Sequence, residues 1–230
     1  MPDSFGVQEC QSGTYANGGV GWYELLTGDS DLMTYYGYVG TANDDGTNNF
    51  YNCVFYRKDR FNVLSSGTKW LSDTPDVCST FEIRPTDQER IVTWVTLQDK
   101  TTGEVYTHFN THLAVTRSAM QQQLTVLKGL TDACATPFVL TGDFNLDITW
   151  PEYQTLLSYW KDGRVCAPDS DDGPTNSTSK IMDFTLCSAG ICSGEYHRAG
   201  TAYSIDPNDI GDASFLSDHY PVCLTFYLCA

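Results

Sequence analysis

The chain has 230 residues, 41% hydrophobic and 18% charged, enough for one sizeable core and free of the composition of disordered or collagen-like proteins. Twenty-nine Asp and Glu against thirteen Lys and Arg give a formal net charge of -16, which excludes a broad nucleic-acid-coating surface unless a metal or a local basic cluster intervenes. Nine cysteines occur without a CxxC pair or Cys/His spacing, which excludes the usual zinc cages and leaves disulfides open.

Ser4 to Glu9 reads as a short buried strand ending in polar residues. Tyr35 to Val39 and Phe50 to Tyr56 are aromatic and β-branched runs, separated by the turn cluster Asn43-Asp44-Asp45-Gly46. Arg60 to Leu64 and Arg90 to Leu97 continue the sheet. The latter leads through Asp99-Lys100-Thr101-Thr102-Gly103 into Glu104 to Thr111 as a hairpin whose alternation puts His108, Asn110 and His112 on one face. Met120, Leu124, Leu127 and Leu130 recur at helical spacing, so Ser118 to Cys134 is an amphipathic helix. Phe138 to Leu140 is a buried strand, and Pro151 opens a second helix with Tyr153, Leu156, Leu157 and Trp160 on one face. Asp162 to Lys180 is a polar loop containing the short acidic run Asp169 to Asp172, which reads as solvated. Ile181 to Leu186 and Tyr220 to Leu228 are later strands. Without repeat or linker, the expectation is one domain over residues 1–230, strand-rich α/β with two packed mixed sheets flanked by helices.

Four polar clusters stand where strands end: Gln8-Glu9, Asn110-Thr111-His112, Thr141-Gly142-Asp143-Phe144-Asn145 and Ser217-Asp218-His219-Tyr220-Pro221. Each alone has a bland explanation as a solvated carboxylate, a satisfied sheet histidine or a turn cap. Together they supply what hydrolysis of a phosphate ester needs: hard oxygen ligands for a cation, a group that activates water, and donors that hold transition-state charge. Mg²⁺ takes only one or two carboxylates while keeping several waters, so a few such residues suffice.

These segments, in order, resemble the endonuclease/exonuclease/phosphatase superfamily with its deoxyribonuclease I-like fold. Phe5-Gly6-Val7-Gln8-Glu9 is similar to the strand carrying the metal-binding glutamate, and Phe55 to Phe61 and Trp70 to Pro75 are similar to the sheet segments that follow. Glu89 to Trp94 resembles the strand whose arginine, here Arg90, approaches phosphate, and Phe109 to Leu113 the strand whose histidine, here His112, does likewise. Thr141 to Asn145 and Ser217 to Pro221 are the sharpest matches, and Lys180-Ile181-Met182-Asp183-Phe184 is similar to a shorter family segment.

The resemblance implies a four-layer α/β sandwich and a metal-dependent phosphoric ester hydrolase. In it Glu9 binds metal and Asp218 binds metal or orients a neighbour; His112, Arg90 and Asn145 hold phosphate; Asp143 positions or activates water or handles a proton; His219 is the principal acid–base or phosphate-polarising group; and Asp183 hydrogen-bonds a catalytic histidine. The implied cofactor is Mg²⁺, with Mn²⁺ or Ca²⁺ as substitutes. The family's opening strand and helix have no counterpart before Gln8-Glu9, so the domain is expected to be N-terminally incomplete. The acidic balance favours a phosphorylated small molecule or lipid headgroup as substrate over nucleic acid, and a nuclease or a non-catalytic relative is the alternative. The cysteine count favours a secreted or extracellular setting over a cytoplasmic one, with Asn176-Ser177-Thr178 as a glycosylation acceptor after export, and a monomer is expected. No apolar run is long enough to span a bilayer.

Overall fold

Alternation of apolar and polar residues through 91–99 and 105–112 builds a long antiparallel hairpin, and its neighbours in sequence extend the sheet on either side. The computed structural model describes residues 1–13, 20–44, 50–81, 88–198 and 217–229. Contacts divide it into two compact units, Met1–Asn145 and Leu146–Ala230.

The first unit contains β1 (Ser4–Gly6), β2 (Cys10–Gln11), α1 (Trp22–Gly28), α2 (Ser30–Tyr35), β3 (Tyr36–Val39), β4 (Phe50–Tyr51), β5 (Val54–Arg57), β6 (Phe61–Trp70), β7 (Ile91–Asp99), β8 (Val105–His112), α3 (Arg117–Asp132) and β9 (Phe138–Asp143). β6, β7 and β8 run antiparallel and β9 joins β8 in parallel, so the strands of this unit pair in both senses. A second sheet, β1-β5-β3, is antiparallel, and β1 and β5 pack against β8. Phe5 stacks on Phe55 with centroids 4.9 Å apart, over a core that includes Tyr36 and Cys53. The fold class is therefore mixed α/β with packed sheets, as expected from the sequence.

The second unit contains α4 (Pro151–Tyr159), β10 (Lys161–Asp162), α5 (Gly163–Cys166), β11 (Asp169–Ser170), β12 (Asp183–Cys187), β13 (Ile191–Arg198) and β14 (Val222–Leu228). β13 pairs antiparallel with β14 and parallel with β11, while β10 pairs with β12. A disulfide joins Cys192 to Cys229 at one end of the β13-β14 pair, and the other seven cysteines are thiols. Closing a loop of this length restricts the unfolded chain, so Cys192→Ser is expected to cost about 2–4 kcal/mol. Urea midpoints of the oxidised wild type and the variant check this; coincident curves would show that the link contributes nothing.

Several local readings shift. The strand expected over Ser4 to Glu9 ends at Gly6 and is half-buried, because Val7 to Glu9 turn toward β2. Leu157 is exposed, so α4 buries only Glu152, Tyr153 and Leu156, with Trp160 buried at its C-cap. Asp171 and Asp172 are not simply solvated: they pair with Arg198 at 3.0 Å and Arg164 at 2.8 Å. Asn176 is buried, and its carboxamide oxygen accepts from Thr178 and Lys180, so this amide is turned inward rather than offered as a glycan acceptor. Asp45 and Gly46 of the expected turn lie outside the described residues.

Candidate active site

In the first unit, strand register carries the sequence motifs to one sheet end. Val92 pairs with Thr111, Thr111 with Gly142, and His112 with Asp143, so Arg90, His112 and Asp143 stand at or just beyond the same edge of β7, β8 and β9. Gly142 has φ +155, and a Cβ there would lie 2.2 Å from the Thr111 carbonyl oxygen; only glycine lets β9 approach β8 so closely beside the site.

His112 is the centre of this group and is nearly buried. Its Nε2 lies 3.0 Å from Asn145 Nδ2 and 3.5 Å from Asp143 Oδ2, and its Nδ1 is 3.9 Å from Glu9 Oε1. Asn145 Nδ2 also donates to the Leu113 carbonyl at 2.8 Å, which fixes the orientation of the amide. One amide hydrogen then lies on the Leu113 carbonyl and the other on His112 Nε2, so that nitrogen accepts and Nδ1, on the Glu9 side, carries the proton. Asp143 Oδ1 accepts from Asn145 N at 2.7 Å.

Two of the three non-glycine residues with positive φ among the described residues are site residues, Glu9 at +52 and Asn145 at +48. Asparagine tolerates this region; glutamate is disfavoured there by roughly 1 kcal/mol or more and must be held by its surroundings. The Glu9 side chain is 71% exposed, offering a hard oxygen donor to solvent. Arg90 is half-buried, its carbonyl accepting from Leu71 N at 2.7 Å.

In the second unit, His219 Nδ1 lies 2.8 Å from Asp183 Oδ2, the carboxylate accepting from the ring N–H. The supports of this pair were invisible as motifs. Thr175 is fully buried, and its Oγ1 accepts from Met182 N at 3.0 Å and Asp183 N at 3.1 Å, while its carbonyl accepts from Tyr220 N at 2.7 Å. Asn176 forms a β-bridge with His219, and Ser177 N donates to Asp218 O at 2.8 Å. One turn, 175–177, therefore grips both segments carrying the dyad. Asp218 itself is exposed.

Within the first unit the structure thus groups Glu9, His112, Asp143 and Asn145, and within the second Asp183 and His219. Two open hollows of about 390 and 420 Å³ lie elsewhere, lined around Trp160 and around Trp94, and no site residue lines either.

A family profile decides the class: the chain belongs to the Endonuclease/Exonuclease/phosphatase family, which it matches over residues 2–219. Members of that family are hydrolases acting on phosphoesters. Among solved structures, a mannosyl-6-phosphatase of Bacteroides thetaiotaomicron is 25% identical with a TM-score of 0.76, covering 98% of this chain and 85% of its own. A family protein from Bacteroides vulgatus is 26% identical at the same TM-score and coverage. The human Nocturnin catalytic domain, 16% identical with a TM-score of 0.64 over 99% of this chain and 82% of its own, shares the fold. No curated protein matches the chain.

Proposed function

We propose that this protein is a divalent-metal-dependent phosphoesterase acting on a phosphorylated small molecule or lipid headgroup. The observation that carries the proposal is the Asp183–His219 pair at 2.8 Å, an oriented acid–base group in a chain whose family hydrolyses phosphoesters. The family match runs across the boundary between the two units, which supports their serving one reaction as one catalytic domain.

In that reaction Glu9 is the main cation ligand, with Asp218 as a further carboxylate. An exposed carboxylate oxygen suits Mg²⁺, which binds through one or two carboxylates and retains water; Mn²⁺ and Ca²⁺ accept the same donors. The cation, when bound, neutralises phosphate oxygens. His112 donates from Nδ1 to a phosphate oxygen, Arg90 holds the same group, Asn145 serves it through His112, whose ring its amide fixes, and Asp143 orients the attacking water. His219, kept in one tautomer by Asp183, handles the proton of the leaving oxygen. The net charge of -16 and the likeness to a sugar phosphatase support a small substrate over a polyanion.

The disulfide supports an oxidising, extracellular setting, and the protein is proposed to work there as a monomer. No helix of the described residues is long and apolar enough to cross a membrane.

The test is a panel of sugar phosphates, inositol phosphates, choline-type phosphodiesters and single- and double-stranded DNA and RNA, each with Mg²⁺, Mn²⁺ and Ca²⁺. Metal-dependent release from a small ester at a kcat/KM at least tenfold above any nucleic acid is expected. Preferential cleavage of nucleic acid would replace the substrate class, and inactivity on every ester would remove the enzymatic proposal.

A further inference from the structure

Asn110 takes no part in the chemistry above, yet every hydrogen-bonding position of its side chain is used. It is fully buried in β8. Its Nδ2 donates to the carbonyls of Val7 at 2.8 Å and Cys53 at 3.2 Å, and its Oδ1 accepts from Gln8 Nε2 at 2.6 Å and Thr141 Oγ1 at 3.0 Å. Two donors and two lone pairs exhaust the carboxamide, so no rotamer or flip could satisfy the same partners. The partners are also informative: Val7 and Gln8 immediately precede Glu9, Cys53 adjoins β5, and Thr141 stands two residues before Asp143.

Gly6 shows that the chain is built around this amide. A Cβ at Gly6 would sit 2.1 Å from Asn110 Oδ1 and 2.6 Å from Thr141 Oγ1, so any larger residue would expel the side chain from its place between the sheets.

Behind Asn110 the bonds continue in one direction. Thr141 spends its hydroxyl hydrogen on Asn110, so His108 Nε2, 2.9 Å from Thr141 Oγ1, must donate to it. His108 Nδ1 then accepts from Ser4 Oγ at 2.8 Å, and Ser4 accepts from Tyr106 OH at 3.0 Å. The chain from Tyr106 to Gln8 joins the two sheets, and with a neutral His108 its hydrogens all run in that one direction. Burial supplies that state, lowering the His108 pKa to about 3.

We infer that Asn110 is a positioning residue that holds Val7-Gln8-Glu9 in the disfavoured backbone conformation required to present the Glu9 carboxylate, with Thr141 and His108 holding Asn110 in turn. Val7 to Glu9 belong to neither β1 nor β2; besides the Asn110 bonds they are held by Val7 N to Cys53 O at 3.0 Å and Gln11 N to Glu9 O at 2.8 Å. Glu9 at φ +52 would relax toward ordinary extended backbone once released, carrying its carboxylate away from His112. The inference rests on Glu9 as the proposed cation ligand, and it assigns to the buried amide the support that ligand-bearing groups require.

The experiment compares Asn110→Asp, which keeps the shape but turns an acceptor toward two carbonyls, with Thr141→Val, which removes only the hydroxyl. Thr107→Val is the structural control, since Thr107 is equally buried in β8 but bonds Thr96 and Thr136 instead. Three readouts are taken on the full chain without substrate: thermal midpoint, Mn²⁺ affinity by calorimetry, and amide exchange of Gln8 to Cys10. Both network variants are expected to weaken Mn²⁺ binding about tenfold or more and to speed exchange at Gln8 to Cys10 by at least as much. Thr107→Val is expected to lower the midpoint while staying within about twofold on both other readouts. Network variants that match Thr107→Val in affinity and exchange would overturn the inference, and Thr141→Val alone decides if Asn110→Asp does not fold. Should the wild type bind no Mn²⁺, the cation proposal fails by itself. Exchange then still decides: unchanged protection at Gln8 to Cys10 refutes the positioning role and lost protection upholds it.

Discussion

Replacing His219 with alanine is expected to lower turnover by roughly 10²- to 10⁴-fold, the usual contribution of a positioned acid–base group. The geometry behind the number is the 2.8 Å contact between Nδ1 and Asp183, which holds the ring plane and places the Nδ1 proton on the carboxylate, so Nε2 is the nitrogen proposed to exchange a proton with substrate. Asp183→Asn should lose at least about 10²-fold with an unchanged circular dichroism spectrum, because an amide at that position can present N–H to Nδ1 and invert the tautomer. Single-turnover rates on the best ester of the panel provide the measurement. A folded His219→Ala protein within about threefold of wild type would end the acid–base assignment.

The second large effect is expected at His112. Its Nδ1 proton, fixed by the Asn145 amide on the other ring nitrogen, is a preorganised donor, and removing one such donor costs about 10²- to 10³-fold. His112→Ala should therefore lose that much, mostly in kcat. If His112 and His219 serve the same step, their effects do not multiply: the double variant should retain at least about tenfold more activity than the product of the single losses. Strict multiplication would mean two independent contributions and would undo the single-reaction account.

A smaller effect concerns acid. His108 is neutral in the folded protein, with its pKa lowered by burial to about 3, while the unfolded chain titrates near 6.5. Unfolded molecules thus take up a proton that folded ones refuse as pH falls below about 6.5, and stability drains between there and about 3, by on the order of 2–3 kcal/mol at pH 4.5. Urea midpoints of wild type and His108→Gln across pH 8 to 4.5 report it. The variant is expected to start lower and decline less steeply, and parallel curves would show that His108 is not the group responsible.

The strand-end clusters were legible in the sequence because each packs its chemistry into a few consecutive residues after an apolar run. Thr141-Gly142-Asp143-Phe144-Asn145 directly follows the apolar run Phe138 to Leu140, and in the structure β9 ends at Asp143 with Asn145 N bonded to its carboxylate. Alternation likewise placed His108, Asn110 and His112 on one face, and the helical spacing of Met120, Leu124 and Leu127 located α3 within two residues at either end.

What stayed hidden was made by distant contacts. β13 was unread because Gly194 and a register shift between Ser193 and Tyr196 break its alternation. α1 and α2 are seven and six residues long and bury none of their residues, so neither carries a periodic signal. Thr175 looks like one more polar residue in a loop, and its role appears only when Met182, Asp183 and Tyr220 are found bonded to it. The same holds for Asn110, whose partners lie 31 to 103 positions away in the chain.

The central claim, hydrolysis assisted by a cation on Glu9, is tested most directly by adding Mg²⁺ back to chelator-stripped wild type and Glu9→Gln proteins and following product release from the best small ester. The account predicts no turnover in the stripped wild type, full recovery with Mg²⁺, and recovery at least about 10²-fold lower in Glu9→Gln at any Mg²⁺ concentration. Full activity in excess chelator, or equal recovery by the two proteins, would contradict it.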